Sequence, residues 1–180
     1  MGTRVMRFVR EQGCAASADL ARERGEFPNW SGSRLQAEGH RLRNATVTTV
    51  APTGTISIIA DCSPGIEPLY GVSFMRNVLE DVRLVTLHPL FVEMARAAGI
   101  YSERLARRVA SQVSIRDIPE IPEDLRRLFC TAHDVAPGHH VRMQAAFQEY
   151  SDSGVSKTIN LPASATQKDV AAAYLLAHRL

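Results

Sequence analysis

Lysine is almost missing from this chain. Of its 21 basic residues only Lys157 and Lys168 are lysines, and against 19 acidic residues the formal net charge is +2. That is far short of the basic bias by which a nucleic-acid binder attracts phosphate backbones. Arg107-Arg108 and Arg126-Arg127 are short pairs, read as solvated helix faces. Cysteine is also scarce. Cys14, Cys62 and Cys130 are odd in number and far apart, which excludes a complete disulfide framework. No C-x-x-C pair exists, so the usual zinc spacing is missing, and each thiol is expected as a buried structural one. There is no run of about 18 apolar residues to cross a membrane. Met1-Gly2-Thr3-Arg4-Val5 is not followed by the apolar stretch of a signal peptide. A reducing cytoplasm is the expected compartment, so the sequon Asn44-Ala45-Thr46 carries no weight. Neither a Walker A pattern nor G-x-G-x-x-G occurs.

What is present is an ordinary folding composition, 45% hydrophobic and 22% charged over 180 residues. Val5, Phe8, Val9, Ala16 and Leu20 recur at helical spacing and predict a helix over 4–24, with Gly25 at its C-cap. Residues 26–39 read as loop, with Trp30 covering an apolar edge. Thr46-Val47-Thr48-Thr49-Val50 is β-branched and predicts a strand ended by Pro52. A short helix follows near Ile56, then a loop over 61–68 and a strand within 71–79, around Val72–Met75. Helices are predicted over 89–98, from Ser102 as cap, over 122–129, over 137–150 with Asp134 as a cap, and over 166–179 from Thr166 with Asp169 three residues on. Val155–Ile159 predicts a third strand. Three strands make a poor independent sheet but fit as part of a larger one.

The turn Ala51-Pro52-Thr53-Gly54-Thr55-Ile56-Ser57 is the most informative stretch. A strand, a Gly-bearing hydroxyl-rich turn and a helix N-terminus together suit an anion, because first-turn N–H groups and the helix dipole face it. Gly54 admits close backbone approach, and the hydroxyls of Thr53, Thr55 and Ser57 are candidate donors. An ordinary Thr/Ser-capped helix after a strand is the alternative at this level.

The eighteen residues from Arg43 to Ala60 resemble the catalytic subunit of ribonucleotide reductase, in its class II, adenosylcobalamin-dependent form. Gly65-Ile66-Glu67-Pro68-Leu69, Arg76-Asn77-Val78-Leu79, Thr131-Ala132-His133-Asp134, His140–Gln148 and Val155–Pro162 continue the resemblance, as do Leu20-Ala21 and Arg24–Asn29. The resemblance implies an α/β fold, part of a ten-stranded barrel, with residues 1–180 forming one incomplete domain and no second one. It implies reduction of ribonucleotides, as diphosphates in the family's vitamin B12-dependent form, by a cysteine thiyl radical generated from adenosylcobalamin. Two further cysteines supply electrons and thioredoxin-like partners restore them. It places Pro52, Thr53, Gly54, Thr55 and Ile56 against the substrate phosphates, with Ser57 and Glu67 as further candidates.

The family's Asn-x-Cys-x-Glu radical motif is not found here, so no catalytic residue is assigned to this segment, and the cobalamin site is expected mainly in other parts of the subunit. His133-Asp134 with His139-His140 is weighed as a metal constellation and set aside for a cap and a solvated helix face, since adjacent helical residues point ~100° apart. No G-x-S-x-G elbow accompanies His133-Asp134 as a hydrolase triad. Glu67 reads either as a carboxylate near the site or as a structural hydrogen-bond acceptor. Lys157 is a further candidate for reaching phosphate. Two other functions stay open: a stand-alone, non-catalytic nucleotide-binding or interaction module, and a fragment of a class I reductase.

Overall fold

The computed structural model describes residues 1–60, 62–78 and 82–180, with side chains described outside 75–85. Leu79, which closes the Arg76–Leu79 match, and Asp61, which opens the expected 61–68 loop, lie outside the described residues. The elements in order are helices α1 (Gly2–Arg24), α2 (Arg34–Ala37) and α3 (Gly54–Ile59), strands β1 (Ser73–Val78) and β2 (Val82–Leu87), and helices α4 (Pro89–Ala97), α5 (Glu103–Ala110), α6 (Glu123–Leu128), α7 (Pro137–Gln148) and α8 (Gln167–Arg179). No helix among the described residues is long and apolar enough to cross a membrane.

Local chemistry sets most boundaries. α1 ends at Gly25, whose φ of 76° is open to glycine and whose N–H reaches Ala21 O at 2.9 Å. Arg43 Nη1 then donates to the Glu26 carbonyl at 3.1 Å, just past the end of α1. Ser102 caps α5 by accepting from Leu105 N at 3.1 Å. Thr166 and Asp169 form a reciprocal capping box on α8. α2 interrupts the loop expected over 26–39, capped by Ser33. Trp30 is half-buried there and donates its Nε1–H to His40 O at 2.9 Å.

The expected strands come out differently. β1 falls inside the predicted 71–79 segment and pairs antiparallel with β2, which the sequence reading missed, in the register Ser73↔Leu87 to Val78↔Val82. Thr46–Val50 and Val155–Ile159 are not strands. They meet at one parallel bridge, Val50↔Val155. The hydroxyls explain this: Thr48 Oγ1 donates to Tyr150 O at 3.3 Å and Thr49 Oγ1 to Gly154 O at 2.9 Å, while Val47 N donates to an Asp152 carboxylate oxygen at 2.8 Å. Side chains thus take backbone partners that a regular ladder would use. A second isolated parallel bridge joins Leu69 to Thr131. The described residues are therefore mainly helical with a two-stranded sheet and no closed barrel, with less strand than the three segments expected from the sequence.

The main core lies under α4, α5 and α6. Val72, Phe91, Ala95, Leu105, Val109, Leu125 and Phe129 pack with Ile115, Ile118 and Ile121. The isoleucines are spaced by three because successive turns, Ile118 N to Ile115 O and Ile121 N to Ile118 O, bring every third residue to the same side. Phe91 is fully buried and meets Phe129 edge-on at 5.3 Å. Elsewhere α7 packs on both α1 and α8, with Gly2 so close to Phe147 that an added Cβ would lie 2.8 Å from its ring. Phe91→Ala is expected to cost about 3–5 kcal/mol, the usual loss for truncating a buried phenylalanine, read as a lower urea midpoint.

Candidate functional site

The turn between the 46–50 segment and α3 is built around Thr53. Its φ of 52° and ψ of 24° are left-handed, and it is the one non-glycine with positive φ among the described residues. A β-branched residue avoids that conformation at a cost of ~1–3 kcal/mol. Two bonds hold it. Thr53 O accepts the first helical bond from Ser57 N at 2.9 Å, and Thr53 Oγ1 accepts from Gly65 N at 3.0 Å. Gly65 is itself left-handed at φ 52°, and a Cβ there would stand 3.4 Å from Ala51 O.

This arrangement leaves a set of outward donors. The N–H groups of Gly54, Thr55 and Ile56 precede the first helical bond of α3. The Thr53 hydroxyl uses a lone pair on Gly65 and keeps its proton to donate. Gly54 has open space where a Cβ would be, and Pro52, Thr55 and Ile56 are exposed. Ser57 differs: it is buried, and its Oγ donates to Gly54 O at 2.8 Å, so its proton serves the turn itself. A cleft of about 480 Å³ lies beside the turn, lined by Thr49, Thr53, Ser57, Cys62 and Gly65 among others. Ile56, Ile58 and Ile59 present 61, 73 and 81% of their surface to solvent.

Glu67 is the structural acceptor of the two sequence readings. One carboxylate oxygen takes Lys157 Nζ at 2.5 Å and the other takes Thr158 N at 2.6 Å. Lys157 also donates to Thr158 O at 3.0 Å, and its side chain is 1% exposed, so it does not reach an outside phosphate. The sequence reading missed this pair. The signal available was that Lys157 is one of only two lysines in a chain that otherwise uses arginine.

The other candidates are placed apart. Asp134 does not cap α7, whose N-cap is Ala136 with no side-chain bond. Its carboxylate instead accepts from Ser114 Oγ at 2.6 Å, Thr131 N at 2.8 Å and Thr131 Oγ1 at 2.9 Å. Burial pushes its pKa up, but these three donors outweigh that and hold it below the ordinary carboxyl range. His140 is buried rather than on a solvated face. Burial drives its pKa down, and Nε2 lies 3.2 Å from Ala132 O, so Nε2 carries the hydrogen and Nδ1 is left without a partner. His133 meets Tyr70 edge-on, and His139 is exposed. Among the described residues no group of three or more His, Cys, Asp or Glu is placed to hold a metal. Of the thiols, only Cys14 and Cys130 are partly buried; Cys62 is exposed, against expectation. Burial and the neighbouring Asp134 push the Cys130 thiol up, which disfavours a thiolate there.

Residues 34–180 match the family described as "Ribonucleotide reductase, barrel domain". The chain belongs to that family. It is 49% identical over 180 residues to the vitamin B12-dependent ribonucleoside-diphosphate reductase of Thermoplasma acidophilum, covering all of this chain and 23% of that protein. It is 44% identical over 177 residues to the protein of the same name from Mycobacterium tuberculosis, covering 98% of this chain and 25% of that one. The chain thus spans about a quarter of the length of the curated relatives it matches. Among solved structures, the class Id ribonucleotide reductase alpha subunit of Actinobacillus ureae superposes with a TM-score of 0.81 over 99% of this chain and 31% of its own, at 20% identity. At that identity the likeness speaks for the fold alone. The resemblance to the adenosylcobalamin-dependent reductases is borne out.

The two clefts beside these elements, about 410 and about 480 Å³, are at the small end of pockets that enclose small ligands. For Asp134 the sign of its effect on stability follows from its lowered pKa. Its contribution is present above the unfolded value of about 3.9 and is lost as pH falls through the lower folded value. Asp134→Asn is expected to lower the urea midpoint at neutral pH, with the deficit shrinking on acidification across that window.

Proposed function

We propose that this chain is part of a vitamin B12-dependent ribonucleotide reductase that converts ribonucleotides, as diphosphates, to 2′-deoxyribonucleotides by thiyl-radical chemistry, and that it supplies the loop receiving the substrate phosphates. The observation that carries the loop assignment is the held left-handed Thr53. It turns the N–H groups of Gly54, Thr55 and Ile56 and the free hydroxyl protons of Thr53 and Thr55 to one exposed turn, a donor set suited to a diphosphate. Pro52 fixes the entry to that turn.

In this reading the radical and reducing thiols belong to other parts of the subunit, because none of Cys14, Cys62 and Cys130 stands in an Asn-x-Cys-x-Glu context. Adenosylcobalamin, which supplies the radical, is likewise assigned to those parts. The partners are the ribonucleotide, a thioredoxin-like reductant, and the rest of the reductase subunit, in a cytoplasmic setting. The exposed Ile56, Ile58 and Ile59 favour this over a stand-alone module, since a complete domain rarely leaves three neighbouring isoleucines in water.

Replacing Thr53 and Thr55 by Val in a full-length reductase carrying this segment is expected to weaken binding of a nucleoside diphosphate by ~1–3 kcal/mol, the scale of hydrogen bonds to charged groups. Affinity for the parent nucleoside should hold. Equilibrium binding of the two ligands checks this, and unchanged diphosphate affinity overturns the loop assignment. The purified 180-residue chain by itself is expected to show no turnover and to associate in solution, measured by reductase assay and light scattering.

A further inference from the structure

The Lys157–Glu67 pair keeps its lysine side chain out of solvent and is joined to the turn by a short mechanical path. Lys157 Nζ and Thr158 N grip the two oxygens of Glu67 at 2.5 and 2.6 Å. Glu67 N donates to Pro64 O at 3.1 Å, closing the tight turn 64–67. Inside that turn Gly65 N donates to Thr53 Oγ1 at 3.0 Å. On its far side the same segment is fastened by Ala132 N to Leu69 O at 2.7 Å. The strained conformation of Thr53 therefore depends on a turn clamped at both ends, and the clamp nearer the turn is an ion pair whose lysine is 1% exposed.

We propose that Lys157 and Glu67 are positioning residues for the 52–56 loop: the pair fixes Gly65, and Gly65 fixes Thr53 in the geometry that turns its donors outward. This rests on the phosphate reading given above. The local chemistry fits the task. A buried pair is rigid only when its remaining hydrogen-bonding capacity is used, and here Thr158 supplies both a donor to Glu67 and an acceptor to Lys157. Lysine suits the place better than arginine, because a compact ammonium serves one carboxylate oxygen and leaves the other to a backbone N–H, whereas a guanidinium fork would compete for both. His140 lies close enough to feel both charges. Burial lowers its pKa, and the neighbouring Lys157 acts in the same direction.

The test uses a full-length reductase carrying this segment, with Lys157→Met, Glu67→Gln and Thr53→Val made separately, and nucleoside diphosphate as substrate. Lys157→Met and Glu67→Gln are expected to raise KM roughly ten- to hundredfold, the scale for misplacing a binding group by about 1 Å, with kcat within about twofold. Inorganic pyrophosphate, used as competitor, should lose potency in step. A purely structural role would lower the melting temperature and leave the KM of the folded fraction unmoved, and that result overturns the proposal. Should Lys157→Met not fold, Glu67→Gln decides alone, since it keeps the size and the acceptor for Thr158 N. If Thr53→Val weakens diphosphate binding while the pair variants do not, the phosphate reading stands and the positioning role falls. If Thr53→Val is silent while the pair variants still raise KM, both the phosphate reading and the route through Gly65 and Thr53 fall, and the proposal is overturned.

Discussion

Thr53 is held in a backbone conformation that its own branched side chain opposes, and the architecture around it exists to keep it there. A strained residue persists only where its surroundings over-determine it. Here they do so through Gly65, which faces it in the same left-handed region, and through Ser57, whose N–H begins the helix and whose hydroxyl closes it back on Gly54. Neither neighbour could change freely. A side chain at Gly65 would meet Ala51 O while sitting at a φ that only glycine accepts readily. Hydroxyls therefore divide the labour within six residues: one tightens the turn from inside, one is pulled into place by a distant backbone amide, and one stays in solvent.

The rest of the molecule packs in two bodies. The cluster around Phe91 owes nothing to the loop. It is an apolar core of helices and consecutive turns, closed by edge-on aromatic contacts. The second body joins α7 to α1 and α8. Between them run the extended segments, linked by two single parallel bridges and by many side-chain bonds to backbone. Polar contacts here do what sheet ladders do in a complete barrel, which is why the region keeps its geometry with only a two-stranded sheet of its own.

How far the sequence revealed this depended on the range of the interaction. Local signals were legible: Gly25, Ser102 and Thr166 mark helix ends because each acts on backbone within four residues. The turn from Pro52 to Ser57 was legible for the same reason, and the family was legible from Arg43 to Ala60. Long-range choices were not. Thr46–Val50 has strand composition, but Tyr150, Asp152 and Gly154 decide what its backbone pairs with, and they lie about a hundred residues away. Asp134 looked like a cap to the next helix, yet Ser114, twenty residues earlier, claims it. Glu67 and Lys157 were each noticed singly. Nothing local could join residues separated by ninety positions.

Those separations also set an order of assembly. The bonds that fix the 47–50 segment span 105 residues, and contacts of such reach form late because a long stretch of chain must first be ordered. A ribosome adding ~5–20 residues per second would deliver Gly154 several seconds after Thr49. For that interval the exposed isoleucines of the turn have neither their clamp nor their neighbours. The 52–57 turn is thus made well before the residues that complete its surroundings, and its apolar side chains stay uncovered for that interval.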